Sequence, residues 1–429
     1  MIRIIRQVLA MMREEKLYSA MYIAGTALAI AFVMLIAEVY YVKVADIAPE
    51  VHRSQTYYLD FLPLKSDSTR GANLTHEVFS LFQKMQTPEC VTATAPNFYG
   101  ERSRVMLADG LHDRAVNLKL TEPGFFRLYD YHFTEGGPFT QDDFDNERDV
   151  AVITEEIRDL LFGRGAKAVG RTVSVNHYDC HVCGVVETPS ALMEESVADV
   201  WCPYSSNIQH DVWGMTWRQG FLDVTFSVPA DRHEAFIQEL KEVEARYNSV
   251  HKDQPASIVS RHLQSHYSKV WSGIGGVFNA WNKDLIWYVV PSILLLLLVP
   301  ALNLSGMVAS RMERRLPEMA VRKAFGAKRR TLLGQVVGEN LVLTLFGGII
   351  GLCLAWTALY AWRDWVFYVF SDNSKLYGAV PVIEGEMLFG PAVFLTALLV
   401  CCVLNVLAAT VPAWLSLKRP IVESMMLKK

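Results

Sequence analysis

The sequence predicts a membrane protein with four transmembrane α-helices and a large α+β extracytoplasmic domain between spans 1 and 2. Three observations predict it. The 429 residues are 51% hydrophobic with a mean hydropathy of +0.18, yet 20% are charged, so membrane segments are mixed with a substantial water-facing part. Four apolar stretches, at about 18–44, 285–309, 334–361 and 387–412, reach the roughly 20 residues that cross a bilayer. Basic residues fall on one side of these spans. Arg3, Arg6, Arg13 and Lys16 precede the first; eight Arg and Lys lie in 311–330 after the second; Lys418, Arg419, Lys428 and Lys429 follow the fourth. The loop after the third is acidic instead, with Asp364, Asp372, Glu384 and Glu386 against Arg363 and Lys375. Positive charge marks the cytoplasmic side, which places both termini inside and the long 45–264 segment outside. Trp281, Trp287, Trp362 and Trp365 lie near predicted span ends, where interfacial aromatics belong.

Taken in order, residues 1–17 have helical periodicity, with Ile2, Ile5, Leu9 and Met12 on one face and Arg3, Arg6 and Arg13 on another. Two readings fit equally: an amphipathic helix on the inner membrane surface, or a plain positive leader to the first span. The first span (18–44) exceeds the short apolar core of a secretory signal and lacks a small-x-small site after it, so an uncleaved anchor is expected. In the outer domain Thr75–Gln86 has the spacing of a short amphipathic helix. Residues 148–164 read as a strand then a helix, with Thr154 as N-cap, Glu155 and Glu156 in the positive first turn and Gly163 at the end. Residues 171–187 read as two strands around the turn Asn176–Asp179. Asp231–Asn248 reads as a helix with Phe236, Leu240, Val243 and Tyr247 on one face. Residues 265–284 lead back to the membrane as a stalk, and 285–429 form the remaining membrane domain.

Composition and motifs exclude several functions. A pI near 6.3 argues against a general nucleic-acid binder. No G-x-S-x-G, H-E-x-x-H or G-x-x-x-x-G-K-[ST] occurs, so hydrolase chemistry and nucleotide hydrolysis within this sequence are not expected. Cys180 and Cys183 sit three apart on a strand and point to opposite faces, which disfavours a shared metal or a bond. A Cys90–Cys202 disulfide stays open. His262 and His266, four apart, lack a third ligand and read as surface histidines.

The 311–330 loop carries more than topology requires. Pro317 suits a first helical position and Gly326 a terminus, predicting a short helix over 317–325. Pro317, Ala320, Val321, Ala324 and Phe325 cover one face and Glu318, Arg322 and Lys323 the other, a pattern fit for an apolar groove with acidic neighbours. Arg311, Arg314, Arg315, Lys328, Arg329 and Arg330 are expected to hold the loop at the inner membrane face. Within the spans, Asn303, Glu339 and Asn340 are polar groups that seek partners. Gly334, Gly338, Gly347 and Gly351 mark a close-packing face, in the same chain or against a second copy.

This combination resembles the MacB/FtsX-type permeases of ABC transporters, four-span proteins with a MacB-like extracytoplasmic domain. Their segment after span two runs like R-x-R-E-I-G-I-R-K-A-L-G-A, which Arg314, Arg315 and Glu318 to Ala327 match, with Pro317 as a departure. Asn303, Glu339, Gly347, Gly348 and Gly351 match residues common in the family's spans, and Pro412, Ala413, Pro420 and Glu423 its ending. Residues 121–144 and 152–176 follow the order of the MacB-type outer domain, whereas about 45–110 match no motif. The resemblance implies a non-enzymatic permease subunit in a bacterial inner membrane, holding no cofactor itself. ATP and magnesium would be bound by a separate ABC ATPase that docks on a coupling helix formed by Pro317, Glu318, Ala320, Val321, Arg322, Lys323, Ala324, Phe325 and Gly326. It also implies a second permease subunit, identical or related, and in two-membrane cells a membrane-fusion protein. Nucleotide-driven movement would reach the outer domain and export or extract a substrate. The alternative is a membrane-anchored FtsX-like scaffold that activates an outer partner.

Overall fold

The computed structural model describes residues 8–274, 305–370 and 391–418, except 9, 11, 61, 64–70, 73, 96–102, 108–109, 191–192, 210–221, 253–254, 257, 259–262 and 307. The chain divides into two compact units. One comprises Met1–Tyr41, Asn282–Val366 and Gly385–Lys429, and the other Val42–Trp281 and Phe367–Glu384.

Among the described residues a helical stretch at 12–14 and a bend at Glu15 precede helix α1 (Lys16–Val44). Most of the predicted amphipathic segment 1–17 lies outside the described residues. The second unit is built on β1 (Thr56–Leu59), β2 (Leu62–Pro63), β3 (Gly71–Ala72), α2 (His76–Phe82), β4 (Cys90–Ala95), β5 (Arg104–Met106) and β6 (Asp113–Ala115). It continues with β7 (Leu118–Thr121), α3 (Phe125–Leu128), β8 (Phe133–Gly136), α4 (Gln141–Asp145), β9 (Val150–Thr154), α5 (Glu155–Phe162), β10 (Thr172–Val175) and β11 (Tyr178–Val186). β12 (Val200–Pro203), β13 (Asp223–Ser227), α6 (His233–Val250), β14 (Gln264–Ser265) and α7 (His266–Ile274) complete it.

Among the described residues, twelve strands form one mixed sheet in the order β14-β1-β13-β4-β7-β12-β9-β11-β10-β5-β6, with β8 also on β11. Pairs β9–β11 and β7–β12 are parallel and the others antiparallel. Each face buries its own core, because strand residues alternate sides. Ala151, Ile153, Cys180 and Cys202 lie in one cluster, and Val152, Trp201 and partly buried Cys183 in the other. Cys180 and Cys183 therefore do face apart. β7 separates β4 from β12, and Leu120 pairs with both Ala95 and Cys202, which leaves Cys90 five residues farther along β4. Cys90 and Cys202 are accordingly both free thiols.

Local signals explain the best-defined element. The Thr154 hydroxyl accepts from the Ile157 amide, Glu155 and Glu156 open α5, and Gly163 ends it at φ +91°. The β10–β11 turn is tighter than expected. Asn176 (φ 49°) and His177 (φ 72°) form a two-residue hairpin loop, and Tyr178 already belongs to the strand. In α6 the four predicted core residues, Phe236, Leu240, Val243 and Tyr247, are all buried.

The first unit holds α1 up to Tyr41, a helix over 305–324 (α8), α9 (Arg329–Phe370) and α10 (Pro391–Lys418). Among the described residues, α1, α9 and α10 contain three stretches long and apolar enough to cross a membrane. The predicted second span lies mostly outside the described residues, and only its 305–309 end is seen, within α8. α9 departs from helical backbone only at Trp362. Its 34 residues from Arg329 to Trp362 rise about 50 Å, well beyond a hydrocarbon core of about 30 Å.

Candidate functional site

The predicted coupling residues sit at the C-terminal end of α8. Pro317 is not its first residue; the helix starts upstream and runs through it. The reason is packing. Val308, Met312, Leu316 and Met319 form a ladder with three- and four-residue spacing, all buried, and this face holds the helix together across the proline. The same ladder rotates the apolar residues away from the predicted arrangement. Ala320 is buried and Pro317 half-buried, whereas Val321, Ala324 and Phe325 face outward with Glu318 and Arg322, and Lys323 is intermediate. Phe325 is 89% exposed. The predicted terminus has clear geometry. Gly326 adopts φ +91°, its amide donates to the Lys323 carbonyl, and the Ala327 amide donates to the Arg322 carbonyl. This double bond pattern closes a helix where only glycine is comfortable.

Behind this exposed tip lies a chain of polar contacts. Glu339 of α9 is fully buried. Its Oε2 accepts from Arg315 Nη1 at 2.7 Å and pairs with Arg311 Nη2 at 3.3 Å. Arg311 also donates to Glu15 at 3.1 Å and lies over the Tyr18 ring. From the other carboxylate oxygen, Gln335 Nε2 bonds Glu339 at 3.1 Å, Arg322 Nη1 bonds Gln335 at 3.1 Å, and Arg322 Nη2 bonds Glu318 at 2.6 Å. A continuous path thus runs from the exposed Glu318 through α9 to the segment before α1. Arg311 and Arg315 both turn inward to this carboxylate. Opposite charge and hydrogen bonds offset the cost of burying Glu339, which a lipid-facing arginine would not do.

Farther along α9, spans meet through small and polar residues. Thr344 donates to the Asn340 carbonyl and accepts from Asn405 of α10 at 3.2 Å and from Tyr22 of α1 at 3.3 Å. The Asn340 amide is buried, with both polar atoms unpartnered among the described residues. Asn303 lies outside the described residues. Gly347 and Gly351 pack within the chain: a Cβ on Gly347 would lie 2.8 Å from Thr26 Cβ, and one on Gly351 2.7 Å from the Ala27 carbonyl oxygen. Gly334 faces open space. Gly351→Val is therefore expected to force α1 and α9 apart and destabilise the protein by about 1–3 kcal/mol or more, while Gly334→Ala is neutral or slightly stabilising. Thermal unfolding of the purified variants in detergent checks both.

The sequence singled out Glu339, Gly347, Gly351, Glu318 and Arg322, but not Gln335, which joins Glu339 to Arg322, nor the pairing of Arg311 and Arg315 with Glu339. Their spacing held a signal. Arg311 and Arg315, and Gln335 and Glu339, are i,i+4 pairs that each line one helix face.

Residues 19–243 match the family described as MacB-like periplasmic core domain, and residues 292–421 match FtsX-like permease C-terminal. The macrolide export ATP-binding/permease protein MacB of Pasteurella multocida (strain Pm70) is 24% identical over 62% of this chain and 38% of its own length. The MacB protein of Escherichia coli (strain K12) is 23% identical over 57% of this chain and 35% of its own. The chain thus spans little more than a third of these curated relatives. The crystal structure of the periplasmic region of MacB from Actinobacillus actinomycetemcomitans covers 51% of this chain and 92% of its own, with 17% identity and a TM-score of 0.38.

Proposed function

The chain belongs to the MacB/FtsX-type ABC permeases, and from that premise we propose that it is a permease subunit that couples ATP hydrolysis by a partner ATPase to movement of its outer domain. One observation carries this reading: the exposed tip of α8, with Val321 and Phe325 outward beside Glu318 and Arg322, is wired by side chains to the buried Glu339 of α9. An apolar knob ringed by charge suits a groove in a partner with acidic neighbours. The path behind it gives a docked partner a physical grip on a membrane helix. The partner would hold ATP and magnesium. In this reading α8's tip faces the cytoplasm, the 45–264 domain lies across a bacterial inner membrane, and two permease subunits, identical or related, work together. Work done on the outer domain then exports or extracts a substrate, with a membrane-fusion protein as a further partner where two membranes must be crossed.

The test is reconstitution in lipid nanodiscs with ABC ATPases from the same organism. Specific co-purification and stimulation of ATP hydrolysis support the proposal, and absence of both refutes it. Cells lacking the protein separate two outcomes. Loss of export supports transport, whereas normal export with loss of an outer enzyme's activation supports the scaffold alternative.

A further inference from the structure

The chain enters the second unit through the last turn of α1 and leaves its sheet through α7, and both segments meet at one buried cluster. His266, the first residue of α7, is 6% exposed rather than a surface histidine. Its Nε2 lies 2.8 Å from the Lys43 carbonyl and its Nδ1 2.9 Å from the Tyr58 hydroxyl. A carbonyl only accepts, so Nε2 carries the proton and Nδ1 accepts from Tyr58. Burial holds the His266 pKa below the ordinary histidine value, against the pull of Glu50, which suits this neutral form.

The 193–196 segment straddles the same two elements. Glu194 pairs with Lys43 of α1 at 3.0 Å, and its neighbour Glu195 pairs with Lys269 of α7 at 3.0 Å. Burial opposes the Lys269 charge, but Glu195 and Asp60 outweigh it and raise the pKa above the ordinary lysine value. Beneath them Glu50 accepts from the amides of Glu195 and Ser196 and from the Ser196 hydroxyl. Arg53 binds Glu50 at 2.6 Å and donates to the carbonyls of Val42 and Ala45 at 2.6 and 3.0 Å, capping the end of α1. For Glu50, too, burial disfavours the charge, and the Arg53 guanidinium beside it overcomes that, leaving the pKa below its usual value.

We propose that this cluster is a clamp that locks the incoming end of α1 to the outgoing helix α7, so that the outer domain is displaced as one rigid piece instead of hinging at its two connections. Two independent ties serve it: the His266 bridge, and the Glu194–Glu195 clip with one ion pair to each side. The displacement rests on the proposed function, whereas the clamp's contacts lie inside the outer unit and are tested without the ATPase.

Hydrogen–deuterium exchange of the full chain in nanodiscs tests it, with no ATPase present. The readouts are the amides of 42–47 and 267–274, with 150–154 in the central sheet as reference. In His266→Leu, and separately in Glu194→Gln/Glu195→Gln, both segments should exchange about fivefold or more faster, together, with the reference unchanged. The glutamine pair keeps side-chain size, so it decides the matter if His266→Leu fails to fold. Unchanged exchange in the glutamine variant overturns the clamp. So does faster exchange of one segment without the other in either variant.

Discussion

Phe325→Asp should abolish ATPase stimulation while leaving the protein folded in the membrane. The side chain is 89% exposed, so its loss removes almost no packing within the chain. A buried aromatic anchor at the centre of a partner groove is commonly worth about 2 kcal/mol or more, which weakens binding about 30-fold. The introduced carboxylate adds repulsion if the groove has acidic neighbours. Glu318→Lys should act in the same direction by another route. It breaks the 2.6 Å contact that fixes Arg322, and with it the Arg322–Gln335 step of the path. The measurements are the dissociation constant of the ATPase for nanodisc-held permease and the stimulated hydrolysis rate. Wild-type values in both variants, with unchanged thermal unfolding, would sink the docking proposal.

Glu339→Ala is expected to have the largest effect on stability. It leaves Arg311 and Arg315, which share one carboxylate oxygen, without that partner beside a fully buried position. Breaking a buried ion pair in this way costs about 3–5 kcal/mol, or roughly 10 °C in Tm for a domain of this size. Glu339→Gln keeps the volume and a hydrogen-bond acceptor, so it should lose about half as much while still weakening the link to Arg322. The two variants separate stability from coupling. If Glu339→Gln folds well and couples fully, the path does not transmit.

What the sequence made legible was mostly local. The cap at Thr154, the end at Gly163, the stop at Gly326 and the core face of α6 each depend on residues within a few positions of one another. The candidate site was only half readable for a related reason. The exposed tip lay in one short stretch, so its end at Gly326 was visible, but its start and the direction of Phe325 depended on which face of α8 was buried. The contact between Glu15 and Arg311 spans 296 positions, and no periodicity announces such a partner. His266 was misread for the same reason, since its bonds go to Tyr58 and Lys43, more than two hundred positions away.

The length of α9 and the place of its glycines have a mechanical consequence. Gly347 lies 18 residues from Arg329 and 15 from Trp362, about 27 Å and 22 Å along the axis. The glycines at which α9 packs against Thr26 and Ala27 of α1 are therefore near the middle of a long rod, with arms of similar length on either side of Gly347. In the proposed function such a rod would work as a seesaw with a glycine fulcrum. In the proposed mechanism a rocking of about 10° would move Arg329 and Trp362 by roughly 4–5 Å in opposite directions, and Glu339, on a shorter lever of about 12 Å, by roughly half as much.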